Sequence, residues 1–131
     1  MKIVVDTSFI MAQGLYGVDL VGELERVVEG KFELIVPSRV IEELKNLAEK
    51  GSPRERAAAR IGLDLISGAR VVEATGSTDE AIFRMAVENG WAVGTNDRNL
   101  RMRLRRGGIT VIYLRGLSHL EMSGGPHADP L

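Results

Sequence analysis

Four acidic residues stand just after apolar runs or early in helix-like stretches, where they could do chemistry: Asp6, Glu43, Asp79 and Asp97. Asp6 closes Ile3-Val4-Val5, and Asp97 follows Trp91-Ala92-Val93-Gly94 through Thr95-Asn96. Four carboxylates on one rim would repel one another and be costly to strip of water, so their convergence makes sense if hard divalent cations such as Mg2+ or Mn2+ bind among them. No other residue set competes. Cysteine is absent, which removes thiol nucleophiles, thiolate zinc sites and disulfides together. His119 and His127 both lie near the C-terminus, leaving the body of the chain without an imidazole for a Ser-His-Asp triad or a histidine metal cluster.

The elements that must position these acids follow from the hydrophobic patterning. Short β-branched runs alternate with helical periodicities, the pattern of a parallel sheet covered on both faces. Strands are predicted at Lys2-Val5, Glu33-Val36, Arg70-Glu73, Trp91-Thr95 and Thr110-Leu114, with helices over 18–29, 39–49, 54–67, 79–89 and 98–106. Capping-box spacing marks two starts, Ser52-Pro53-Arg54-Glu55 and Ser77-Thr78-Asp79-Glu80. The expectation is an α/β fold with a central parallel sheet of about five strands. The domain is read as 1–117, with 118–131, containing Gly124-Gly125-Pro126 and Pro130, as a loosely ordered tail.

Sites in open parallel sheets form outside the carboxyl ends of the strands, where all four acids fall. Helical phase separates them from their neighbours. Val40, Ile41, Leu44, Leu47 and Ala48 define one apolar stripe; Glu43 borders it and Glu42 points nearly opposite. Asp79 likewise edges the stripe of Ala81, Ile82, Met85 and Ala86, with Glu80 facing away. Each acid also has a plain structural reading, because aspartate caps helices and acids favour a first turn. That reading suits Asp97 and Asp79 better than Glu43 or Asp6.

A length of 131 residues and 44% apolar content suffice for one core without staples. Net charge of −1 argues against binding nucleic acid by bulk attraction, so any such contact must be local. Arg98, Arg101 and Arg105 share one face of the helix after Asp97 and could grip phosphates, the alternative being a solvated face. Arg54, Arg56 and Arg60 are read as plain surface charge. An acid interrupts the first apolar run after three residues, and no later run could span a bilayer, so a cytoplasmic protein is expected.

The ordered blocks Ile3-Val4-Val5-Asp6-Thr7-Ser8-Phe9-Ile10, Val36-Pro37-Ser38-Arg39-Val40-Ile41-Glu42-Glu43-Leu44, Thr78-Asp79-Glu80-Ala81-Ile82 and Thr95-Asn96-Asp97-Arg98-Asn99-Leu100 resemble the PIN-domain nuclease family over nearly the whole chain to about Leu114. The resemblance implies a three-layer PIN-like fold and a metal-dependent endoribonuclease whose metal-site residues are Asp6, Glu43, Asp79 and Asp97. It further implies that Ser8, Thr95 and Asn96 support the acids. Asn99, where many relatives carry another aspartate, removes a fifth acidic ligand from the expectation. Two branches fit: a VapC-type toxin with an antitoxin partner, and an endonuclease of ribosomal RNA processing with a processing factor. The arginine-rich helix before Tyr113 leans toward the second. Homodimerisation is a family expectation.

Other classes fit less well. A non-catalytic PIN-like module holding RNA or protein is disfavoured by the presence of all four acids. A receiver domain needs an acidic pair after the first strand and a lysine after the last, and neither is present. A dinucleotide fold would show GxGxxG after the first strand. An aspartyl phosphatase would want an acid where Ser8 stands.

Overall fold

A computed structural model describes residues 1–124. In chain order the elements are β1 (Lys2–Val5), α1 (Thr7–Tyr16), α2 (Leu20–Val27), β2 (Glu33–Pro37), α3 (Ser38–Lys50), α4 (Pro53–Leu65), β3 (Arg70–Val72), α5 (Thr78–Asn89), β4 (Ala92–Gly94), α6 (Arg98–Arg106), β5 (Val111–Arg115) and β6 (His119–Ser123). They build one sheet of order β3-β2-β1-β4-β5-β6, in which the first five strands are parallel and β6 runs antiparallel at the edge.

The alternation along β1 shows how the layers form. Ile3 and Val5 enter one core with α1, α2, α3 and α4, whereas Val4 enters another with Ile82, Ala86, Leu100 and Leu104 of α5 and α6. Successive side chains on a strand point to opposite faces, so a strand covered on both sides must be apolar throughout. On the first face α1 and α4 pack closely because Gly14 faces Ala58, where a Cβ would come within 2.5 Å of the Ala58 Cα.

The predicted helix starts hold. Ser52 accepts a bond from the Glu55 amide while the Glu55 carboxylate accepts one from the Ser52 amide, completing the capping box behind Pro53. Ser77 accepts from the Glu80 amide at the head of α5.

Two elements were not anticipated. The segment Thr7–Tyr16 forms α1, although it shows no amphipathic stripe. Phe9, Ile10, Met11 and Ala12 are buried in succession, and a helix buried on nearly all sides lacks the periodicity that reveals surface helices. The expected loose tail is corrected over His119–Ser123, which forms β6. Leu120 is fully buried, its amide donates to Glu23 and its carbonyl accepts from Arg26, so α2 satisfies the sheet edge that β6 would otherwise leave open. Residues 125–131 of that expectation, with His127, lie outside the described residues.

Candidate functional site

Strand order reverses between β1 and β4, which lie side by side with Val5 opposite Gly94. Crossovers leave the two strands in opposite directions there, opening a crevice at their carboxyl ends. Gly94 lets the Phe9 ring lie close to this junction: a Cβ there would stand 3.1 Å from the ring, which would have to give by a few tenths of an ångström.

Asp6 sits at the mouth of the crevice and is buried. Its Oδ1 accepts bonds from the Phe9 amide and the Ser8 hydroxyl, both at 2.8 Å, and its Oδ2 accepts from the Thr95 hydroxyl. The carboxylate is therefore the N-cap of α1, a role that escaped the sequence reading because α1 itself did. Burial pushes its carboxyl up to about 6 from an ordinary 3.8; the bonds from Thr95, Phe9 and Ser8 oppose that shift, and the nearby charge of Asp79 adds to it.

Thr95 is fully buried and connects two of the acids. Its hydroxyl donates to Asp6 and accepts from the Asp97 amide at 3.1 Å. Asp97 in turn caps α6 by accepting from the Leu100 amide at 3.0 Å. Asn96 fastens the neighbouring chains: its amides reach the Ser8 hydroxyl and carbonyl, and its Oδ1 accepts from the Leu114 amide at 2.8 Å. The end of β4 is thus tied to α1 and β5.

Asp6, Glu43, Asp79 and Asp97 line a single cavity of about 180 Å3 together with Thr7, Ser8 and Thr78. The helical-phase expectation holds. Glu42 pairs with Arg39 and Glu80 with Arg103, and neither lines the cavity. Asp79 is shifted upward by partial burial first, then by the charges of Asp97, Glu43 and Glu80, against the pull of Arg103. Asp79 sits in the first turn of α5, where Ser77 holds the cap position.

Sequence reasoning missed Thr7, whose hydroxyl donates to Glu43 at 2.6 Å and joins the first turn of α1 to α3. Its place directly after Asp6 was the signal, readable only once α1 is known. It also missed Arg103, which bonds Glu80 through two nitrogens, at 2.6 and 3.3 Å, and sets a positive charge beside Asp79. Arg101 and Arg105 do share a helix face, but they turn toward β5 and β6 and line a different cavity. Arg98 follows Asp97 at the head of α6 without lining the acidic cavity. Arg54, Arg56 and Arg60 donate to the carbonyls of Leu15, Gly51 and Ala48, in keeping with a structural reading.

The donor set suits hard cations. Among the described residues no three acidic or imidazole groups stand close enough to wrap one ion unaided. Magnesium does not need such a cage, since it keeps several waters and takes one or two carboxylates plus substrate oxygens. Counting lone pairs, Asp6 has three acceptor directions filled and one left on Oδ2, and Asp97 keeps its Oδ2 beside the capping Oδ1.

A mostly parallel sheet of this order, layered between helices with acids at its switch point, is the architecture of the PIN-like domains. The chain belongs to that family, whose model, described as a PIN like domain, matches residues 3–117. It is 33% identical over 129 residues to Ribonuclease VapC4 of Methanocaldococcus jannaschii, spanning 94% of this chain and 97% of that protein. It is 32% identical over 112 residues to Ribonuclease VapC9 of Archaeoglobus fulgidus, spanning 86% and 82%. Among solved structures, the PIN domain endonuclease Utp24 superposes with a TM-score of 0.74 at 22% identity, over 98% of this chain and 96% of that one, a likeness of fold. No helix among the described residues is long and apolar enough to cross a membrane.

Proposed function

We propose that this protein is a divalent-metal-dependent endoribonuclease that hydrolyses RNA phosphodiester bonds. The observation that carries the reading is the convergence of Asp6, Glu43, Asp79 and Asp97 on one cavity at the topological switch point. The names of the two ribonuclease relatives support it. Asp6 and Asp97 would hold Mg2+ or Mn2+ directly, through the oxygens their capping bonds leave open, while Glu43 and Asp79 hold waters around it. When bound, such an ion polarises the phosphate and acidifies water for attack. Thr95 keeps the two aspartates in fixed relation, Ser8 and Asn96 brace the first of them, and Thr7 aims Glu43.

Both branches of the family keep a specific observation. The relatives similar along most of the chain are VapC ribonucleases, which favours a toxin with an antitoxin partner. The arginine-rich α6 beside Tyr113 favours RNA processing. The test has two parts. Purified protein should cleave single-stranded RNA with Mg2+ or Mn2+ and not with EDTA, and Asp97→Asn should lower the rate at least about 100-fold while the fold persists. Full activity of a folded Asp97→Asn, or cleavage in EDTA, would sink the reading. Growth arrest on expression in a heterologous host, relieved by Asp97→Asn, selects the toxin branch; harmless accumulation of active enzyme selects processing.

A further inference from the structure

Between α6 and the edge strands β5 and β6, a cavity of about 330 Å3 is lined by Arg101, Met102, Arg105, Arg106, Tyr113 and Ser123. Its composition is informative. Three arginines line it, and no acidic residue is among the described residues that do. The Arg101 guanidinium lies on the Tyr113 ring, 4.0 Å from its centroid, forming a stacked pair with a planar cationic surface. Tyr113 is itself held by a bond from its hydroxyl to Glu121, and among the described residues Arg105 makes one hydrogen bond, from Nη1 to the Ile109 carbonyl, with its guanidinium packed beside Gly124. Met102 is 42% exposed at the same place, an apolar group beside the charges.

An inorganic anion would use the arginines and leave Met102 and the stacked platform idle. A nucleotide uses all of them, since unstacked bases settle on aromatic rings and guanidinium planes while arginine forks grip phosphate. Distance along the helix fits as well. At 1.5 Å rise per residue, Arg101 and Arg105 lie roughly 6 and 12 Å along α6 from Asp97, within reach of the next nucleotides of a strand held at the acids. Resting on the endoribonuclease reading above, we infer that this cavity is a subsite for one unpaired nucleotide of the RNA substrate. Its base stacks on the Arg101–Tyr113 platform against Met102, and its phosphate is held by Arg105 and Arg106.

The test is equilibrium binding of short fluorescent single-stranded RNA to the full chain, carrying Asp97→Asn so that the strand stays intact, with an abasic nucleotide placed at each position in turn. With Arg101 present, one position should weaken binding about 10-fold, within the range for one stacked base. In Arg101→Ala that position should cost nothing further. Arg101→Lys, which keeps the charge but not the plane, should also lose the abasic effect while preserving the salt dependence. Arg106→Ala should flatten the slope of log Kd against log salt by about 0.7, the share of one single-strand phosphate.

Abasic losses that are equal at every position, or that persist undiminished in a folded Arg101→Lys, overturn the subsite. If the unmodified enzyme nevertheless cleaves RNA with Mg2+ or Mn2+, the endoribonuclease reading survives that failure. If it neither binds nor cleaves RNA, both fall.

Discussion

Replacing Asp6 with asparagine should stabilise the metal-free protein at neutral and alkaline pH and fail to do so in acid. Burial raises the Asp6 carboxyl from 3.8 to about 6, a shift worth about 3 kcal/mol between its two protonation states. Because the folded value is raised, the stability it confers is fully present below pH 3.8 and is lost as pH rises through about 6. Above that range the wild-type fold carries a desolvated charge that asparagine does not. The substitution keeps an oxygen for the Phe9 amide and the Ser8 hydroxyl. It sets an amide against Thr95, whose proton loses its acceptor, at a cost of about 1–2 kcal/mol.

The net gain for Asp6→Asn should be about 1–2 kcal/mol at pH 8 in EDTA, a rise in Tm of roughly 4–8 °C for a chain of this size. At pH 4 the gain should vanish or turn into a loss of about 1 kcal/mol. Calorimetry or circular-dichroism melts of both proteins across that range supply the measurement. Added Mg2+ should raise the wild-type Tm and leave that of Asp6→Asn nearly unchanged, since only binding to the native state stabilises. A difference in Tm that does not vary with pH, or an Asp6→Asn that melts below wild type at pH 8, would refute the reasoning that burial dominates this carboxyl.

Glu43→Gln, which keeps the Thr7 bond through its amide oxygen, should lower kcat/KM for RNA about 10- to 100-fold, whereas Glu42→Gln, whose partner is the exposed Arg39, should change it less than about twofold. Cleavage rates in the reverse order would show the phase assignment to be wrong. Thr95→Val should destabilise the fold by about 2–3 kcal/mol at pH 7, because it orphans the Asp97 amide and removes a donor from a buried carboxylate. Urea titration should show that loss shrinking as pH falls through about 6, where Asp6 takes up its proton, and Thr95→Ser should recover most of it.

What was legible in the sequence was whatever a surface pattern had written there. β1 was bounded correctly because Ile3-Val4-Val5 is an apolar run between Lys2 and Asp6, and Glu43 was separated from Glu42 because α3 buries one stripe. α1 was invisible for the opposite reason, since a helix packed on the sheet, α3 and α4 shows no polar face to set its phase. β6 did carry a signal, the alternation of Leu120 and Met122, but the glycines and prolines beyond it suggested a free end. The partners of α6 were illegible in another way. Periodicity put Arg101 and Arg105 on one face, yet only the tertiary arrangement of β5, β6 and α5 decides that this face meets Tyr113 while Arg103 reaches Glu80.

The plain and functional readings of the aspartates turn out not to be alternatives. Asp6 and Asp97 are both helix caps, and the backbone amides of Phe9 and Leu100 fix one oxygen of each. A capping carboxylate cannot turn freely, so the direction of its remaining lone pairs is set by the helix it starts. Two helices beginning at the carboxyl ends of adjacent strands therefore aim two carboxylates into one crevice, and the Thr95 hydroxyl locks their relative position. The cost is borne where Asp6 is desolvated and where Asp79 feels Asp97 and Glu43, and a cation in the cavity would offset both. It follows that removing an acid's charge and removing its hydrogen bonds should have opposite effects on stability in the absence of metal. The contrast between Asp6→Asn and Thr95→Val tests that claim within one hydrogen-bonded pair.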